Sequence, residues 1–234
     1  MNVHPIRSIR IRAARAVRLA RTGSARRMAH GSEIDSTVKL PRGSELTAPT
    51  CVGAYTEFAG PVSFRGTGNI GIGSWCAVGK GFTVISSNHS MSRASMSFRV
   101  FDLIGERQPT EPADVAIGHG CWIGDNVTVL PGSVVGAGVV IGAGSVVRGE
   151  VRPYEVIAGV PARSIGSRCA PDLAAALERS RWWTWTPDEM RQRAEFFSLD
   201  IVNVGPAEVE AAYSALSVAQ VRPDSSTRSV PPRR

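Results

Sequence analysis

No run of 18 apolar residues occurs in the 234-residue chain, which argues against a membrane-spanning helix. The first residues also lack the apolar core of a secretory signal, so export is not expected. Cysteine is scarce: Cys51, Cys76, Cys121 and Cys169 are widely spaced and form no C-x-x-C pair. That spacing speaks against a disulfide framework and against a zinc site, so no metal is expected and a reducing cytoplasm is the expected location. Histidine is equally scarce, with His4, His30, His89 and His119 as the full set. Chemistry that needs an imidazole must use one of these. Only His89 lies where a regular pattern stops, in VISSNHSMS at residues 84–92.

Acidic residues are missing from residues 1–30, which carry eight arginines. This segment accounts for the net charge of +7, because residues 31–200 hold 15 basic and 17 acidic residues and residues 201–234 add only +1. A duplex-binding surface needs a basic face on the folded body, so no nucleic-acid partner is expected. Within the basic segment, Ile6, Ile9, Ala13, Val17 and Ala20 fall near one face of a helix. Residues 1–30 are therefore read as a basic extension, either solvated or capping the fold. Weak contact with the inner membrane face is the alternative.

What the chain does have is a period of six. Ile34, Leu40, Leu46, Val52, Phe58, Phe64 and Ile70 are all large and apolar. At 43% hydrophobic content, seven such hits in one frame would arise by chance roughly 0.3% of the time. After a two-residue slip the frame runs on through Ile72, Val78 and Val84, then resumes as Ile117, Ile123, Val129, Val135, Ile141 and Val147. Glycine commonly follows the apolar residue, as at Gly53, Gly73, Gly118, Gly124 and Gly136. A period of six fits neither a helix nor an alternating strand. It fits an all-β solenoid, a left-handed parallel β-helix in which three six-residue sides make one triangular coil. About five coils fit between residues 34 and 151. Glycine at the corners is expected to supply positive φ. A β-sandwich would instead place strands at a spacing of about 8–12 residues.

The domain expected is therefore residues 31–166, interrupted by a loop at 90–114. Its length and its position on a regular edge mark it as functional. A helical cap is expected at 167–200, with one helix from about Pro171 to Ser180 and another starting at Thr186-Pro187 with Thr as N-cap. Trp182, Trp183 and Trp185 are read as its apolar anchor. Residues 201–234 are expected to be disordered.

The residues VGAYTEF (52–58), IGSWCAVGKGFTVISSNH (72–89), SMSF with Phe101, the hexads of 115–147, PYEVIAGVPARSI (153–165) and WWTW (182–185) resemble the hexapeptide-repeat acyltransferases. The resemblance is specifically to the xenobiotic acetyltransferase branch, which includes hexapeptide-type chloramphenicol and streptogramin acetyltransferases and many sugar O-acetyltransferases. The resemblance implies a homotrimer with each active site between two subunits. It implies acetyl-CoA as acyl donor and a hydroxyl of a sugar, polysaccharide precursor or natural product as acceptor. It makes His89 the general base, a role suited to an imidazole whose ordinary pKa is near 6.5. Backbone N–H groups at the coil corners are suited to stabilise the oxyanion. Tyr55, Asn88 and Ser95 are implied on the acceptor side. Trp122, Gly124, Asp125, Ala143, Arg148, Arg163 and Arg168 are implied on the CoA side. Arg148-Gly149 stands where related enzymes carry Thr-Lys, and Arg168 stands in for an arginine that falls on Gly166. His119 is read as structural.

Three other readings compete. Antibiotic inactivation is the alternative within the same chemistry. A γ-type carbonic anhydrase needs three zinc-binding histidines per site, and the repeat region holds two. A non-enzymatic scaffold would have no use for a loop headed by Asn88-His89.

Overall fold

The computed structural model describes residues 27–214. Residues 1–26 of the segment read as a basic extension lie outside the described residues. The chain divides into two compact units, Met1–Arg168 and Cys169–Arg234.

The first unit is a parallel β-solenoid. Three six-stranded sheets form its faces, and each hexad except that of Leu40 contributes one short strand, while an antiparallel strand, Ala162–Ser167, closes the third sheet. On the first face Leu46 stacks under Phe64, Phe64 under Val84, Val84 under Val129, and Val129 under Val147. The second face stacks Ile34, Val52, Ile72, Ile117, Val135 and Val151. The third stacks Phe58, Val78, Ile123, Ile141 and Ile157. These hexad residues form one buried apolar column. The burial of that column, about 25 cal/mol per Å² of apolar surface, is the main force holding the coils together.

Three details differ from expectation. Strand Arg27–Met28 pairs with Glu45–Leu46, so the solenoid begins before residue 31. The slip of frame is taken up in the turn between Ser63–Arg65 and Ile70–Ile72, and both Ile70 and Ile72 point inward. The glycines after the hexad residues do not supply positive φ. They allow close stacking: a Cβ on Gly73 would lie 2.6 Å from Gly118 C, and one on Gly118 would lie 2.6 Å from Ala137 N. The left-handed residues come two positions later, at Tyr55 (φ 59°), Trp75 (φ 62°), Gly120 (φ 62°), Asn126 (φ 56°) and Gly138 (φ 67°).

The interval 90–114 is more ordered than a plain loop. Ser87–His89 pairs antiparallel with Thr110–Pro112, forming a stem that carries helix α1, Phe98–Leu103. Phe101 is the buried residue of α1, at 7% exposure.

The second unit is helical. Helix α2 spans Pro171–Ser180, α3 Pro187–Gln192, α4 Ala194–Phe197 and α5 Pro206–Ser214. Thr186 caps α3, and Glu189 returns the bond in a capping box. Trp182 and Trp185 pack edge-on against Phe197, and Trp185 also against Phe196, within this unit. Helix α5 corrects the expectation of disorder over 201–234. Its Val209 is buried, Arg179 of α2 pairs with Glu210 at 2.5 Å, and Pro206 sets its first turn. Residues 215–234 lie outside the described residues. Among the described residues, no helix is long and apolar enough to cross a membrane.

Candidate active site

The chain leaves the solenoid at Ser86 and returns at Ala113, on the corner between the first and second faces. Ser86 is fully buried and its Oγ donates to Gly68 O at 2.7 Å. Its carbonyl accepts from Ala113 N at 2.8 Å, which closes the base of the stem. Asp114 Oδ1 accepts from Asn69 N at 2.7 Å and locks the returning limb to the coil below. The serines of VISSNH are therefore hinge chemistry. They satisfy backbone groups where the ladder is interrupted, as buried polar groups require.

This stem projects Asn88 and His89 outward, and both are exposed. The imidazole of His89 is nonetheless held on several sides. Its ring meets Phe98 edge-on at 4.7 Å between centroids. Its Nδ1 lies 2.7 Å from Met96 O and 2.7 Å from Gln108 Nε2. A carbonyl oxygen can only accept, so we assign the ring proton to Nδ1, donating to Met96 O. In the neutral ring that leaves the lone pair on Nε2, the arrangement a general base needs.

His89 opens on a cleft of about 620 Å³ lined by Asn88, Met91, Met96, Glu111, Leu130, Pro131 and Arg148. Glu111 comes from the strand opposite Asn88, and Leu130 and Arg148 from the next two coils at the same corner. The cleft thus gathers Asn88, His89 and Arg148 of the residues expected from sequence. Arg148 was expected on the CoA side and lies beside the imidazole's cleft. Ser95 is close in the chain, and its Oγ accepts from Ser97 N at 3.1 Å just before α1.

The other expected residues lie elsewhere on the solenoid. Tyr55 sits on the corner between the second and third faces, where it stacks on Trp75 with centroids 4.2 Å apart. Trp122 is 63% exposed on the third face. Gly124, Asp125 and Ala143 form the corner that follows it. A Cβ on Gly124 would lie 2.6 Å from Ala143 N, and Asp125 Oδ1 accepts from Lys80 N at 2.7 Å, so both have structural duties. Arg163 is exposed, with Nη1 donating to Ala162 O at 2.9 Å. Arg168 is turned onto the solenoid, its Nη1 donating to Gly138 O at 3.0 Å and its guanidinium 5.3 Å from the Tyr154 ring centroid. His119 Nδ1 accepts from Ser74 N at 2.9 Å, in keeping with a structural role.

Residues 114–149 match the family "Bacterial transferase hexapeptide (six repeats)". A chloramphenicol acetyltransferase of Agrobacterium fabrum is 31% identical over 183 residues, which is 69% of this chain and 84% of that protein. The chain belongs to the hexapeptide-repeat acetyltransferases. A second member, a "Probable macrolide acetyltransferase" of Lysinibacillus sphaericus, is 32% identical over 136 residues, 54% of this chain and 76% of that protein. Among solved structures, a mutant of the N-acyltransferase AntD from Bacillus cereus, in complex with dTDP and coenzyme A, shares the fold. Its TM-score is 0.54 at 20% identity, over 64% of this chain and 80% of that one.

In this hexapeptide acetyltransferase, sequence reasoning missed Met91, Met96, Gln108, Glu111, Leu130 and Pro131. Leu130-Pro131 had a signal, since it directly follows a hexad residue on the corner where the loop departs. Met96 acts through its carbonyl and Gln108 through pairing across the loop, and neither leaves a pattern in the chain.

Proposed function

We propose that this hexapeptide acetyltransferase transfers an acetyl group from acetyl-CoA to a hydroxyl, with His89 as general base. The reading rests chiefly on one observation: Nδ1 of His89 lies 2.7 Å from Met96 O at the mouth of a cleft, and that contact is why we assign the ring proton to Nδ1. A hydroxyl is a poor nucleophile at neutral pH. His89 Nε2 takes its proton as the oxygen attacks the thioester carbonyl, a C–O bond forms and the C–S bond breaks. His89 then returns the proton to the departing sulfur, so the imidazole ends as it began.

The residues suit the donor. The Gly142-Ala143-Gly144 corner is small, and a Cβ at Gly144 would meet nothing within 4 Å, so an extended arm can approach the backbone there. Trp122 offers an exposed face and Arg163 an exposed cation for a phosphate. Trp122, Ala143 and Arg163 are the residues proposed to hold CoA. In one chain they lie on faces apart from His89, which favours the homotrimer with sites shared between subunits.

The acceptor is proposed as a hydroxyl of a sugar, polysaccharide precursor or natural product. An antibiotic acceptor is the second reading, favoured by the names of the relatives that cover most of the chain. The test is incubation with acetyl-CoA and a panel comprising a galactoside, chloramphenicol and a macrolide, with products weighed by mass spectrometry. A mass gain of one acetyl group on a hydroxyl supports the reading. Acetylation confined to amine-bearing analogues would overturn it.

A further inference from the structure

Gln108 touches both His89 and the carbonyl that holds it. It lies on the returning limb of the loop, two residues before strand Thr110–Pro112, and is 8% exposed. Its Nε2 is 2.5 Å from Met96 O and 2.7 Å from His89 Nδ1. Its Oε1 is buried and accepts no hydrogen bond. A buried acceptor without a donor weakens the fold, so stability alone does not explain an amide here.

The orientation of the amide is set by its neighbours. Turning it over would set Oε1 against Met96 O, two acceptors 2.5 Å apart. Nε2 therefore faces the carbonyl. The three polar atoms form a tight triangle, and the two hydrogens of one amide splay too widely to align on both of the others. Gln108 thus spends its bond on Met96 O, and Nδ1–H of His89 reaches the same oxygen. The carbonyl's two lone pairs accept both.

We propose that Gln108 is a positioning residue: by donating to Met96 O it holds that carbonyl within reach of His89 Nδ1–H and keeps the lone pair on Nε2. This rests on the reading of His89 as general base. Glu111 and Arg148 are the charged side chains that share the cleft with the imidazole, and neither contacts Nδ1. The tautomer is thus set by two neutral groups.

The test compares Gln108→Met, Gln108→Glu and His89→Ala in the full chain. Methionine keeps the length and volume of glutamine while removing both its donor and the orphaned acceptor, so the melting temperature is expected to hold. Turnover should fall about 10–100-fold, the scale of a misplaced catalytic group, with acceptor KM within about twofold. Long-range 1H–15N spectra, with the His89 ring assigned by its loss in His89→Ala, should change from an Nδ1–H ring to a mixture of tautomers. In Gln108→Glu a carboxylate beside Nδ1 favours the imidazolium. The His89 pKa then rises, and the acid limb of kcat/KM moves to higher pH by about one unit or more. Wild-type turnover and an unchanged ring spectrum in Gln108→Met would overturn the proposal. Should that variant not fold, an unmoved acid limb in Gln108→Glu would overturn it alone. If His89→Ala keeps its turnover, the base assignment fails, while the ring spectra still decide whether Gln108 sets the tautomer.

Discussion

At the scale of single residues, one geometric demand explains most of the glycines after hexad positions: coils stack so closely that a methyl group has no room. Gly73→Ala would drive a Cβ to 2.6 Å from the backbone of Gly118. It should lower stability by about 1–3 kcal/mol, the usual cost of overpacking. Gly166 has open space around it and lies on an exposed strand, so Gly166→Ala should stay within about 0.5 kcal/mol of the parent. Denaturant melts of both variants check the contrast, and equal losses would contradict the stacking account. Sequence reading placed glycine at the corners correctly but assigned it the wrong reason. Positive φ falls two residues further on, and there the chain accepts Tyr55, Trp75 and Asn126 as well as glycine. Periodicity reports which residues point inward; it does not report how far apart successive coils sit.

At the scale of elements, the hexads were legible because each carries one inward aliphatic residue in a fixed frame. The stem and helix of the loop were not, because their contacts run between limbs about twenty residues apart, as in the pairing of His89 with Thr110. Helix α5 was missed for a different reason. A polar, proline-rich end masked the Pro206 start and the acidic first turn at Glu208. The loop is anchored by Phe101, which is buried but stands outside the apolar column of the coils. Phe101→Ala should therefore loosen the loop without melting the solenoid. Limited proteolysis should cut within residues 90–110 faster than in the parent, turnover should fall, and the main thermal transition should move little. A collapse of that transition would show that loop and column fold as one unit.

At the scale of the whole molecule, the proposed trimer follows from where the residues lie. The cleft of His89 is at one corner of the solenoid, whereas Trp122 and Ala143, the residues proposed to hold CoA, lie along another face and corner, so donor and base are proposed to lie on different subunits. Light scattering at micromolar concentration should give three times the chain mass of 24.9 kDa, and a monomeric mass would count against shared sites. The central claim, that His89 is the base for acetyl transfer, is tested most directly by His89→Ala, measured for turnover at saturating acceptor and for CoA affinity on the same preparation. Loss of general-base catalysis should lower turnover about 10²–10⁴-fold, with CoA affinity and melting temperature nearly unchanged. Turnover close to that of the parent at saturating acceptor would contradict it.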